Sequence, residues 1–246
     1  MIIGSTVIHY DRVSSTNSVA SALMREGKSE DGTVVTASFQ DSGRGQAGNT
    51  WESEPGKNLL MSVILLPAAV KPEEQFVILQ FVSLAVCDLV GGYISDVSVK
   101  WPNDIYCGNR KIAGILIEHS IMGSRLAGSV AGIGLNVNQL VFTGGAPNPV
   151  SLAMLTGSNH DLARIIRELT ERLDSRYRMV TAGRWTRLEE DYQRALYRRG
   201  EWHSYKEGSG LFTGMIESVR NDGMLIMRRE DGTLSEYAFK EVDYIL

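Results

Sequence analysis

The stretch VKWPNDIYCGNRKIAGILIE, Val99 to Glu118, limits the architecture more than any other segment. Ile105-Tyr106-Cys107 and Ile112 to Ile117 are apolar, β-prone runs, and Gly108-Asn109 between them supplies the residues of a tight hairpin turn. A hairpin with so much apolar surface needs further strands and a covered face. Yet it opens on Lys100-Trp101-Pro102-Asn103-Asp104 and carries Lys111 just after the turn. Pro102 would remove a ladder donor from a central strand, so residues 101–104 are predicted to form an irregular corner. A polar corner is therefore held against an apolar sheet, and the rest of the chain has to supply the reason.

Neighbouring segments extend that sheet. Val7 to Val13, Thr33 to Phe39, Leu59 to Leu66, Val97 to Lys100 and Leu126 to Val137 read as strands. Ser14-Ser15-Thr16 offers an N-cap to a helix running through about Arg25. Glu73 to Val90 is apolar on nearly every face, as expected of a buried central helix. Asp161 to Val180 and Trp185 to Tyr197 are amphipathic, the first capped by Asn159 or Asp161. After Gly200 polar and apolar residues alternate, with turns at Asn221-Asp222-Gly223 and Asp231-Gly232. These features predict an α+β chain. Residues 1–198 form a mixed sheet with flanking helices, and residues 199–246 form a small antiparallel module of four or five strands docked on it.

Composition narrows the function classes. The 246 residues carry 25 Lys and Arg against 29 Asp and Glu, a net charge of −4, and no basic block, which argues against nucleic acid as a partner. The most apolar stretch, FVILQFVSLAVCDLV, is broken by Gln80, Ser83 and Asp88 and is too short to span a membrane. MIIGSTVIHYDR has none of the marks of a signal peptide. Cys87 and Cys107 lack metal or disulfide spacing and read as buried thiols of a cytoplasmic protein. His9, His119, His160 and His203 are scattered and show no ligand spacing.

Gly43-Arg44-Gly45-Gln46-Ala47-Gly48 matches G-x-G-x-x-G. A dinucleotide site requires a helix to open within that motif, whereas here NTWESEPGKN follows, with Pro55 and Gly56. The dinucleotide reading fails. Glycine backbone and Arg44 could still cradle a phosphate, although a solvated arginine on a surface loop would leave the same trace. Trp51 favours the first reading, because a large aromatic in a polar loop needs something to cover. Lys111 reads either as an edge-strand lysine or as a cation aimed at an anionic ligand. Lys100 and Asp104 read as a local ion pair or as site residues. In GIGLNVN, Gly132 and Gly134 mark a bulge or the close approach of a backbone or ligand beside Asn136 and Asn138.

Together, SSTN at residues 14–17, Gln40 followed by GRGQAGNTW, KWPNDIYCGNRKIAGILIE, GIGLNVN and the C-terminal β module resemble a biotin protein ligase (biotin–[acetyl-CoA-carboxylase] ligase). The resemblance covers essentially the whole chain in order, and KWPND followed by K-x-x-G-I-L-x-E is its most specific part. It implies a catalytic domain related to class II aminoacyl-tRNA synthetases and an SH3-like C-terminal domain. It also implies two reactions: biotin and ATP give biotinyl-5′-AMP, which then acylates a lysine of a biotin carboxyl carrier domain. Lys111 would lie between biotin's carboxylate and the α-phosphate, with Arg44 as its catalytic companion. Ser15, Thr16, Asn17 and Gln40 would bind the ureido ring. Gly114 and Leu116 would line the slot for ring and valeryl chain, with Arg44, Gly45 and Gln46 nearby. Gly43, Arg44, Gly45, Trp51, Asn103, Lys111 and Asn136 would hold ATP or the adenylate, and Asp104 would reach Mg²⁺.

Many members of that family have arginine at the positions of Gln46, Ala47 and Asn49, so this loop carries less positive charge. Members that double as repressors have a DNA-binding domain ahead of STN; only about a dozen residues precede it here, which implies the short form. Monomer and homodimer are both compatible with the sequence. Lipoate ligases and octanoyltransferases share the fold but resemble RRxSGGG, which this chain lacks. A non-catalytic biotin or nucleotide sensor would not need Lys111, Arg44 and Asn103 together.

Overall fold

The computed structural model describes residues 1–144 and 147–246. Strands β1 (Val7–Val13), β2 (Val34–Gln40), β3 (Leu59–Leu65), β4 (Val97–Lys100), β5 (Asp104–Cys107), β6 (Arg110–Met122) and β7 (Arg125–Leu135) form one sheet. Its order is β1-β2-β3-β7-β6-β5-β4, parallel between β1 and β2 and antiparallel elsewhere. Helix α1 (Thr16–Arg25) connects β1 to β2, as a parallel pair requires. Strands β8 (Trp202–Glu207), β9 (Gly210–Val219), β10 (Leu225–Arg229), β11 (Leu234–Tyr237) and β12 (Asp243–Tyr244) form a second, antiparallel sheet ordered β11-β10-β9-β8-β12. The expected α+β class and the separate C-terminal sheet are both present.

The period of two along the strands decides where the site can be. In β3, Leu59, Met61, Val63 and Leu65 join the main core, as do Ala131, Ile133 and Leu135 of β7. Helix α2 (Phe76–Val90) covers that face, packed in turn by α4 (Leu162–Thr181) and α5 (Trp185–Ala195). With helices on one side and the sheet on the other, α2 is buried nearly all round, as expected of a helix apolar on nearly every face. Alternate residues face the other way. Val35, Ile64 and Val130 meet Ala20 of α1 in a small second core. Farther along the same face lie Ser62, Gly114, Leu116, Gly132 and Gly134. Small residues there leave a hollow that α1 does not fill.

Two local details depart from the sequence reading. Residues 72–74 form a 3₁₀ turn ahead of α2, where Pro72 suits a first turn. A short helix α3 (Leu152–Thr156) was not foreseen; the Ser151 hydroxyl caps it through Met154 N–H, and Gly157 ends it at φ 73°. Asp161 is the cap of α4, accepting from Ala163 N–H at 2.9 Å. Cys107 is buried and Cys87 half-buried, and burial raises both thiols, Cys107 to about 11.

The C-terminal sheet docks on the polar corner. Trp101 Nε1–H donates to the Gly223 carbonyl at 2.9 Å, and its ring meets Phe239 edge-on. Gln193 of α5 bonds both backbone groups of Val219. Trp101 is 5% exposed, so the corner serves in part as a joint between the two sheets.

Candidate active site

On the glycine-bearing face lies a cavity of about 350 Å³, lined by the first sheet, the loop after β2 and residues 239–244 of the C-terminal sheet. That volume suits a small organic ligand. Its two ends differ in chemistry.

One end is built on the start of α1. Ser15, Thr16 and Asn17 are 4%, 3% and 3% exposed, although short polar residues at a helix start usually face water. Ser15 occupies the N-cap position but makes no side-chain cap; its side chain lines the cavity instead. Gln40 Oε1 accepts from Thr16 N–H at 2.7 Å and from the Thr16 hydroxyl at 3.0 Å. The Ser62 hydroxyl lies 2.6 Å from Asn17 Oδ1 and 2.8 Å from Thr16 Oγ1. Asn17 Nδ2 donates to Glu118 Oε2 at 2.9 Å and to the Leu116 carbonyl at 3.3 Å.

The opposite end is charged. Lys111 Nζ lies 2.7 Å from Asp104 Oδ1, each side chain 21% exposed. Lys111 backbone N–H and C=O are both held by the 148–150 segment, through Asn148 O and Val150 N. Asn103 Nδ2 donates to Ile115 O at 2.6 Å while Ile115 N–H donates to Asn103 O, clamping the corner onto β6. Lys100 does not pair with Asp104. Its ammonium lies 5.1 Å from the Tyr106 ring and 4.8 Å from that of Tyr244. Burial lowers its pKa against the opposing pull of Asp104.

Between the ends the floor is glycine, with Trp51 laid upon it. A Cβ on Gly134 would stand 2.3 Å from Trp51 Cε2, and one on Gly114 would stand 3.0 Å from Cζ3. One on Gly132 would meet Asn17 Oδ1 at 2.2 Å. The close approach inferred from GIGLNVN is thus made by two side chains. Lys111 Nζ stands 5.9 Å from the Trp51 ring. Residues 43–51 carry their own structure: Gly45 N–H donates to Asn49 O at 2.7 Å, Trp51 N–H to Gly43 O at 2.9 Å, and residues 46–48 form a 3₁₀ turn. Arg44 Nη2 donates to Glu118 Oε2 at 2.8 Å. Gln46 Oε1 and Trp51 Nε1 are buried there without a partner among the described residues.

Most of the residues singled out from sequence therefore meet in one cavity: Ser15, Thr16, Asn17, Gln40, Arg44, Gly45, Gln46, Trp51, Asn103, Asp104, Lys111, Gly114 and Leu116. Two do not. Asn136 is 3% exposed and donates its amide to Val150 O at 3.0 Å, fastening the loop behind β7. Gly43 lies against the Trp51 backbone, where a Cβ would meet Trp51 O at 2.5 Å. Gly45 lines the wall, but its N–H is committed to Asn49 rather than open to an anion. Sequence reasoning missed Ser62, the pairing of Glu118 with Arg44, and the lining residues Phe239, Asp243 and Tyr244. Ser62 had a signal, as the single polar residue in LLMSVIL.

A model of the biotin/lipoate A/B protein ligase family matches residues 10–136, which span this cavity's principal strands. The chain belongs to that family. A bifunctional ligase/repressor BirA of Bacillus spizizenii is 28% identical over 244 residues, covering 96% of this chain and 74% of that protein. The biotin–[acetyl-CoA-carboxylase] ligase of Paracoccus denitrificans is 28% identical over 208 residues, covering 80% of this chain and 85% of its own. Among solved structures, a biotin protein ligase from Aquifex aeolicus in complex with biotin and ATP superposes with a TM-score of 0.78 at 24% identity. That match covers 97% of this chain and 98% of the other, so this family member shares its whole fold.

Proposed function

We propose that the chain is an ATP-dependent biotin protein ligase, which forms biotinyl-5′-AMP with release of pyrophosphate and transfers biotin to a lysine of a biotin carboxyl carrier domain. One observation carries this: a single cavity joins a fixed set of neutral hydrogen-bonding groups to a lysine–carboxylate pair across an apolar floor. A cyclic urea ending in a carboxylate matches both ends. The ureido ring would meet Ser15, Thr16, Asn17 and Gln40, and the aliphatic chain would cross Gly114, Leu116 and Trp51.

Attack of a carboxylate on the α-phosphate brings two anions together, so the protein's contribution is positioning and charge stabilisation. Lys111 is the residue assigned to that task. Its ammonium would turn from Asp104 towards the developing charge, with Arg44 beside the adenylate. Among the described residues no cluster of three or more His, Cys, Asp or Glu could hold a metal. Mg²⁺ is commonly bound by one or two carboxylates together with nucleotide phosphates, and Asp104 suits that role. Bound there, the ion would add charge neutralisation at the phosphates.

The boundary proposed between the catalytic and C-terminal domains, at residues 198 and 199, falls between α5 and β8. No helix among the described residues is long and apolar enough to cross a membrane, and a cytoplasmic location is part of this reading. Incubation with biotin, ATP, Mg²⁺ and a carrier domain should add one biotinyl group to the carrier by intact mass. An unmodified carrier with biotin and a modified one with lipoate would overturn the assignment in favour of the family's other branch.

A further inference from the structure

Asn17 and Arg44 are held by a common partner. Both converge on one atom, Glu118 Oε2, at 2.9 and 2.8 Å. Glu118 projects from β6 on the cavity face of the sheet, Asn17 lies in the first turn of α1, and Arg44 belongs to the loop after β2. One carboxylate oxygen thus ties together three elements distant in sequence.

The chemistry of the partners fixes each amide. A carboxylate and a backbone carbonyl only accept, so Asn17 must turn Nδ2 towards Glu118 and Leu116 O. Its Oδ1 then faces Ser62, whose one hydroxyl proton is used in donating to it at 2.6 Å. Oδ1 keeps a second lone pair for a ligand. The backbone N–H of Thr16 can only donate, so Gln40 must turn Oε1 towards it and has Nε2 left to donate. Asn17 therefore presents an acceptor and Gln40 a donor, the pattern demanded by an N–H and the C=O of a urea.

We infer that Glu118 is the positioning residue of this site, orienting Asn17 for ureido recognition while anchoring the glycine-rich loop through Arg44. Asn17 is buried, whereas the Arg44 and Glu118 side chains are 44% and 35% exposed, so Glu118 joins a buried amide to a half-exposed loop arginine. Glu118 is not among the residues that line the cavity, so it acts through Asn17 and Arg44.

This inference rests on the biotin reading, and calorimetry without ATP separates the two. Biotin binding by the wild type tests the reading; the variants test Glu118. Glu118→Ala should weaken biotin binding about tenfold, the loss of one charged hydrogen bond of about 1.5 kcal/mol. Glu118→Gln keeps an acceptor for Asn17 and should recover most of that loss. It removes the charge facing Arg44, so cleavage by protease between Asp41 and Asn49 should still be faster than in the wild type. In an Asn17→Ala background, Glu118→Ala should have little further effect on biotin affinity, because its route to the ligand is gone. A general loss of folding would give neither the rescue nor the non-additivity. Wild-type affinity in Glu118→Ala, or fully additive losses in the double variant, would overturn the inference.

Discussion

Replacing Gly134 by Ala isolates the contact on which loop seating depends. The added Cβ would lie 2.3 Å from Trp51 Cε2 and 2.7 Å from both Cζ2 and Nε1. Carbon atoms pack at about 3.5 Å or more, so the indole has to retreat by roughly 1 Å. Gly134 lies in β7, hydrogen-bonded between β3 and β6, whereas Trp51 sits on a loop. The loop yields. Overpacking of this kind costs about 1–3 kcal/mol, and here most of it falls on loop seating rather than on the fold. Taking about 2 kcal/mol, affinity for biotin and ATP together should fall about thirtyfold. Calorimetry measures the affinity, proteolysis between Asp41 and Asn49 reports the loop, and a thermal melt should change little. In a Trp51→Ala background the same substitution should have almost no effect. Unchanged affinity and unchanged cleavage in Gly134→Ala would show that loop seating does not depend on the indole resting on Gly134.

Lys111→Ala should slow adenylation by about a hundredfold, the cost of removing a positioned cation, while shifting the melting temperature only slightly. Rapid-quench measurement of biotinyl-AMP formation checks it. Gln46 lines the cavity with Oε1 buried and without a partner among the described residues, so Gln46→Arg should slow escape of biotinyl-AMP about tenfold and Gln46→Gly should speed it. Free adenylate released per turnover is the readout, and equal leakage in all three proteins would remove residue 46 from the site. Burial would raise the Asp191 carboxyl, but hydrogen bonds from Arg176 and Arg194 outweigh it and hold the group below its ordinary 3.8. Its contribution is fully present above that value and fades as pH falls through the depressed one. Asp191→Asn should therefore melt lower than the wild type at neutral pH, and the gap should close in acid.

Apolar, β-prone runs such as LLMSVIL and those flanking the Gly108-Asn109 turn made the strands legible, and alternation of side chains along a strand then separates two faces. The same alternation carries the cavity floor: Gly114, Gly132, Gly134 and Ser62 are the small residues on the face away from the main core. Which groups they receive was not legible, since Trp51 and Asn17 reach them from far along the chain. Motif membership also misled where it stood in for direction. Asn136 shares a run with Gly132 and Gly134, yet it lies beyond the end of β7 and donates its amide to Val150 O. Glu118 closes the most specific motif, but its role emerges only when β6, α1 and the glycine-rich loop are brought together. The wall supplied by Phe239, Asp243 and Tyr244 depends on docking of the second sheet at Trp101, which no local pattern encodes.

If this cavity joins biotin's carboxylate to the α-phosphate of ATP, isotope exchange reports that step without a carrier protein. With Mg²⁺ and ATP present, label from pyrophosphate should enter ATP only when biotin is added, and Lys111→Ala should nearly abolish the exchange. Exchange that proceeds without biotin, or that lipoate supports as well as biotin does, would contradict the account.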